Sequence, residues 1–307
     1  LSCAADCVSA GCAVTIFEAF HKAGGVLTYG IPQFRLPKEI VDKEIARLIN
    51  AGCEIKLNSV VGKSITFEEL KRDYDAIFIS SGAGLPQFLN IAGENLNGVM
   101  SANEFLTRVN LMKAYLKESD TPIYCGKNVV VVGAGNVAMD AARTARRLGA
   151  EVTIVYRRSR EEIPARAEEV DHAEEEGIRF NLLSNPVSMS GDADGMVQSV
   201  KCIRMSLGEP DASGRRRPVA IEGSEYDIPT DQVIMALGTS PTPVIRRTFT
   251  KLKFTPKGTI EADENMYTGE EGVYAGGDAV TGAATVILAM GAGKAAAKGI
   301  HEYLSAK

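Results

Sequence analysis

What this sequence lacks narrows it first. No apolar run approaches the roughly 20 residues that a membrane-spanning helix requires. The nearest, Val280–Gly293, is rich in glycine and alanine and ends at Lys294. No C-x-x-C occurs among Cys3, Cys7, Cys12, Cys53, Cys125 and Cys202, so the chain encodes neither a dithiol redox pair nor a zinc or iron–sulfur ligand set. Cys3 and Cys7 share a helical face and read as small buried hydrophobes, and the cysteine usage predicts a reducing, cytoplasmic setting. Basic charge is not in excess: the net charge is -5, the wrong sign for a nucleic-acid footprint. The one basic knot, Arg215-Arg216-Arg217 between Gly214 and Pro218, reads as a solvated hairpin turn. His21, His172 and His301 lie in unrelated segments, and no acid, base or nucleophile constellation is present. Leu1 is neither a start methionine nor the head of a signal peptide, and is read as a truncation point.

What is present is one nucleotide-binding unit written twice. Shifted by 138 positions, Leu1–Phe17 lies over Met139–Val155, so that Gly11 meets Gly149 and Val14-Thr15-Ile16 meets Val152-Thr153-Ile154. Upstream of the second copy, Val129-Val130-Val131-Val132 runs into Gly133-Ala134-Gly135-Asn136-Val137-Ala138. The same offset would put the first copy's glycines ahead of Leu1, so the first copy is expected to lack its opening strand and glycine loop. A second internal match pairs Asp75–Gly82 with Asp231–Gly238, each a strand returning to a glycine. Two such units predict two dinucleotides with electron transfer between them.

Strand and helix patterns alternate along the chain, as in α/β architecture. Helices are expected at Leu1–Ala10, Lys38–Ala51, Ala102–Lys117 and Ala167–Glu176, with strands at Ala13–Glu18, Asp75–Ser80 and Asp231–Ala236. Ala23–Pro37 reads as a glycine- and proline-rich loop. The reading is two Rossmann-like three-layer dinucleotide-binding domains. An FAD-binding domain is built from residues 1–119 and 239–307, and an NADP-binding domain, 120–238, is inserted into it.

Gly133 permits the tight turn, Gly135 admits a pyrophosphate to the backbone, and Ala138 lets helix and strand pack closely. The two strand ends differ. The first stops at Glu18, an acceptor suited to a ribose diol; the second reaches Tyr156 and then Arg157-Arg158-Ser159-Arg160. Guanidinium groups bind a 2′-phosphate that an acid would repel, so the second site is expected to prefer NADP(H), with Arg166 a further contact. Gly277-Asp278 closes a strand where a ribityl chain would lie, and Ala283-Ala284-Thr285-Val286 opens a helix whose amides would face a flavin ring.

Gly24-Gly25-Val26-Leu27-Thr28-Tyr29-Gly30-Ile31-Pro32-Gln33-Phe34-Arg35-Leu36-Pro37 resembles the flavin loop of the glutamate synthase small (beta) subunit. The segments G-A-G-N-V-A-M-D, Y-R-R-S-R-E-E-I-P-A-R and Y-A-G-G-D-A-V-T-G-A-A-T-V fit the same group. That group includes the NADP-binding subunit of electron-bifurcating ferredoxin:NADP oxidoreductase and the flavin/NADPH part of dihydropyrimidine dehydrogenase. The resemblance implies that FAD is held by Glu18, Gly24, Gly25, Val26, Arg35, Val61, Gly82, Gly277, Asp278, Ala284, Thr285 and Val286. It implies that NADPH is held by Gly133, Ala134, Gly135, Asn136, Val137, Arg157, Arg158, Arg166, Ala236, Leu237 and Gly238. Members of the group carry cysteine-bound [4Fe-4S] clusters on an N-terminal domain, which this chain does not contain. Those clusters are therefore expected on a missing segment or a partner subunit. Hydride transfer from NADPH to FAD needs alignment and no side-chain proton donor. The competing expectation is an inert nucleotide-binding or assembly fragment.

Overall fold

The computed structural model describes residues 1–211 and 214–307. They form two compact units. The first comprises Leu1–Thr28, Leu36–Leu85 and Thr239–Lys307; the second comprises Tyr29–Arg35 and Pro86–Gly238. Among the described residues, no helix is long and apolar enough to cross a membrane.

In the first unit, α1 (Ser2–Ser9) leads to β1 (Thr15–Phe17), α2 (Lys38–Asn50) to β2 (Glu54–Lys56) and α3 (Phe67–Asp73) to β3 (Ile77–Ile79). Helix α3 starts at a capping box in which Thr66 and Glu69 satisfy each other's backbone N–H groups. The strands form two separate parallel pairs, β1 with β2 and β3 with Val273–Ala275. Cys3 and Cys7 pack with Tyr274, Ala296, Ala297 and Ile300 in one core, as small buried hydrophobes. Phe67, Leu70, Ile79, Phe249 and Val273 build another.

In the second unit, strands β4 (Val99–Ser101), β5 (Asn128–Val132), β6 (Glu151–Val155), β7 (Arg179–Asn181) and Gln232–Met235 form one parallel sheet. Its order is β4, Gln232–Met235, β5, β6, β7. The four valines of β5 explain its central place. Val129 and Val131 face the core containing Phe105, Met139 and Ala142, whereas Val130 and Val132 face a second core with Met189, Val200 and Cys202. A strand buried on both faces reads as a continuous apolar run, and each buried valine stabilises by roughly 1.5–3 kcal/mol. The second face is covered by an antiparallel sheet in which β9 (Val197–Pro210) pairs β8 (Ser184–Gly191), β10 (Arg216–Ala220) and β11 (Tyr226–Pro229). Helices, parallel sheet and antiparallel sheet make three layers.

The internal repeat has a structural counterpart. Gly11 (φ 88°) and Gly149 (φ 104°) both adopt the left-handed conformation that ends a helix before β1 and β6 respectively. Other expectations change. Residues 29–35 and 86–119, assigned from sequence to the FAD domain, pack with the second unit because β4 joins its sheet and Phe105 and Leu106 enter its core. The helix expected over Ala102–Lys117, α4, spans Ala102–Leu106 and ends in a π-helical turn, Thr107–Leu111. The expected loop at Ala23–Pro37 contains a short helical turn, Val26–Tyr29.

Candidate functional site

In the second unit β5 turns through Gly133 into helix α5 (Asn136–Arg147). Gly133 has φ 121°, and a β-carbon there would lie 2.3 Å from the carbonyl oxygen of Ala236. Only glycine fits between the two loops. Gly135, the N-cap of α5, is different: a β-carbon there would meet nothing within 4 Å. The uncapped first turn of α5 therefore opens onto free space, the arrangement that receives a phosphate group. Ala138 is fully buried against the sheet. Ala134 is buried, Val137 is exposed and the Asn136 side-chain oxygen accepts a hydrogen bond from Arg166 N at 3.2 Å. Ala236 and Leu237 lead to Gly238, which has φ 100° and open space before its α-carbon. The glycine loop and the Ala236–Gly238 turn thus lie side by side at the carboxyl edge of the sheet.

At the end of β6 the Tyr156 hydroxyl donates to the Glu162 carbonyl at 2.7 Å and folds the following turn back onto the strand. Arg157 is exposed, and Arg166 is likewise exposed; neither guanidinium has an ion pair among the described residues. Arg158 departs from the expectation of a phosphate ligand. It is buried, bonds Asp211 at 2.5 Å and donates through Nε to the Arg216 carbonyl at 2.8 Å. Its charge is already matched. Arg160 is paired with Glu174.

In the first unit, Glu18, Gly82 and Gly277-Asp278 each follow the carboxyl end of a parallel strand, where ligands of open α/β sheets bind. Glu18 accepts a hydrogen bond from Phe20 N at 2.9 Å. Gly82 (φ 70°) faces open space. Gly24 sits in a tight turn, where a β-carbon would fall 2.1 Å from Thr28 Oγ1, whereas Gly25 is open and Val26 is exposed. Val61 is half-buried beside the Phe67–Phe249 core. Burial pushes the Asp278 carboxyl above its ordinary range, opposed by a hydrogen bond from Ala284 N at 3.2 Å. Thr285 is the N-cap of the long helix Val286–Ser305 but makes no capping bond, and its hydroxyl is buried without a partner among the described residues.

Arg35 departs from the expectation of a flavin-loop cation. It lies in the second unit, where Nη1 bonds Asp140 at 2.7 Å and Nε bonds Glu169 at 2.9 Å. Next to it the Phe34 ring carries Arg147 at 4.1 Å and Arg143 at 4.8 Å. Asn110 Nδ2 donates to the Gly30 carbonyl at 3.0 Å. Sequence reading missed Asp140. Its signal is an acid inside an otherwise buried Met139-Asp140-Ala141-Ala142 run, which demands a cation. Asp211 and Arg216 were missed for a different reason: the β9–β10 hairpin brings them to Arg158 and Glu162.

The chain matches the pyridine nucleotide-disulphide oxidoreductase family over residues 1–293. It is 43% identical to the NADP(+)-dependent formate dehydrogenase subunit beta of Moorella thermoacetica, covering 99% of this chain and 42% of that protein. It is 41% identical to a putative glutamate synthase [NADPH] small chain of Cereibacter sphaeroides, covering 96% of this chain and 72% of that one. The chain thus spans between two fifths and three quarters of the length of these relatives. The structure of Mycobacterium tuberculosis FprA in complex with NADPH has the same fold, with a TM-score of 0.82 at 20% identity over 99% of this chain and 82% of that one. The chain belongs to the pyridine nucleotide-disulphide oxidoreductase family, alongside the glutamate synthase small chains.

Proposed function

We propose that this oxidoreductase transfers hydride from NADPH to FAD and passes the electrons to iron–sulfur clusters on a partner subunit or a further segment. The observation that carries the reading is the Gly133–Gly135 turn. It opens at Gly135 onto a helix N-terminus, and the exposed Arg157 stands at the end of the next strand. In this reading the α5 amides hold the pyrophosphate, and Arg157 and Arg166 hold the 2′-phosphate. Ala134, Asn136, Val137 and the Ala236–Gly238 turn line the nicotinamide half.

For FAD, the supporting observation is the buried Thr285 hydroxyl, without a partner among the described residues, at the start of an uncapped helix of 20 residues. A ligand carbonyl there would satisfy both. Glu18 suits the adenosine ribose, Asp278 the ribityl hydroxyls, and Gly24, Gly25, Val26, Val61, Gly82, Gly277, Ala284 and Val286 the remaining surface. When bound, FAD supplies a two-electron acceptor able to release electrons singly. The protein's residues bind and align; no side chain moves a proton.

Within this reading we assign the small-chain role of a glutamate synthase. The Moorella thermoacetica relative favours a second one, the beta subunit of an NADP-linked formate dehydrogenase. A ferredoxin:NADP role would use the same module. Titration of the purified protein with FAD and then NADPH tests the shared core. One equivalent of each should bind, and NADPH should bleach the flavin. Retention of neither would favour an inert fragment.

A further inference from the structure

The turn after β6 carries acids among its arginines. Arg158 is matched by Asp211 and Arg160 by Glu174, while the same turn carries two carboxylates, Glu161 and Glu162. Tyr156 pins Glu162 close to the strand end through its 2.7 Å hydrogen bond, and Glu162 is 7% exposed. Left alone, two carboxylates there would repel a 2′-phosphate, which carries close to two negative charges near neutral pH.

A residue from the far side of the hairpin offsets them. Arg216, the first residue of β10, places Nε 2.5 Å from Glu162 Oε1 and Nη2 3.7 Å from Glu161 Oε2. The same Nη2 donates to Ser159 Oγ at 3.3 Å. The contact is reciprocal, because Arg158 reaches back to Asp211 and to the Arg216 carbonyl at 2.8 Å. The basic knot read from sequence as a solvated turn is therefore partly spent on the nucleotide-determining segment.

We propose that Arg216 is a specificity-determining residue for NADP(H): it neutralises Glu162 and Glu161, so that the end of β6 can accept a 2′-phosphate on Arg157. This rests on reading the second unit as the NADP-binding one. Arg216 acts through Glu162 and is a positioning residue in that sense.

The test uses adenosine 2′,5′-bisphosphate and adenosine 5′-monophosphate, which differ only in the 2′-phosphate, with binding measured by calorimetry on the full chain. Wild-type protein should prefer the bisphosphate. Arg216→Ala should lower that preference roughly tenfold, the effect of one partly screened charge at short range, while monophosphate binding changes less than twofold. Arg216→Lys should keep most of the preference, and Glu162→Gln added to Arg216→Ala should restore it. Glu162→Gln alone should raise the preference, which keeps the test independent of how well Arg216→Ala folds. No preference in the wild type would overturn the NADP reading itself. A wild-type preference that survives Arg216→Ala, or a Glu162→Gln variant that loses it, would overturn the role given to Arg216.

Discussion

Arg35 Nη1 lies 2.7 Å from one oxygen of Asp140 and 2.8 Å from the other, joining two residues 105 positions apart. Burial pushes the Asp140 carboxyl up to about 6, and Arg35 opposes that shift. The sign follows from linkage. Between its ordinary value of 3.8 and about 6, the folded chain holds a proton that the unfolded chain releases, so this group's contribution to stability falls as pH rises through that window and is flat above it. Urea midpoints of wild type and Asp140→Asn should therefore diverge between these two values, wild type losing ground as pH rises. Parallel curves would refute the assignment.

Gly133 tests the loop pair. With a β-carbon 2.3 Å from the Ala236 carbonyl and φ at 121°, Gly133→Ala should destabilise the second unit by about 2–4 kcal/mol and abolish NADPH binding. Gly135→Ala meets nothing within 4 Å, so thermal melts should show a smaller loss of stability while NADPH titration still shows weakened binding.

Adjacent arginines should behave differently. Arg157→Ala should weaken NADPH binding about tenfold with no change in melting temperature, as expected for a lost charge-assisted contact at an exposed site. Arg158→Ala removes a buried guanidinium together with its 2.5 Å ion pair to Asp211 and its 2.8 Å bond to the Arg216 carbonyl, and should destabilise by about 2–3 kcal/mol. Equal melting temperatures for the two variants would contradict this division.

Thr285→Val removes a buried hydroxyl that has no partner among the described residues. Without flavin the variant should be as stable as wild type or up to about 1 kcal/mol more stable, because an unsatisfied group has gone. FAD affinity, read by fluorescence quenching, should fall about tenfold. A loss of stability without loss of FAD affinity would place the hydroxyl's role in the fold alone.

The α/β class and the glycine loop were legible because their signals are local. Four consecutive valines and G-A-G-N specify a doubly buried strand and its turn without reference to distant residues. The exposed Arg157 after β6 belongs to the same local run. The pairing of Arg158 is not local, because its partner Asp211 arrives through a hairpin whose register no local pattern sets. Nor does a local pattern show that Arg35 meets Asp140 and Glu169, two carboxylates on helices far along the chain. The early end of the helix at Leu111 reflects tertiary packing. Phe105 and Leu106 are buried, but Tyr115 and Leu116, which a longer helix would have carried, are exposed.

The most direct test of the account is anaerobic rapid mixing of FAD-loaded protein with NADPH or NADH, following the flavin band at about 450 nm. The account predicts that NADPH bleaches the band, and that at equal, sub-saturating concentration NADH does so about a hundredfold more slowly, the ratio expected of two phosphate contacts. Bleaching by both nucleotides at the same rate, or by neither, would contradict it.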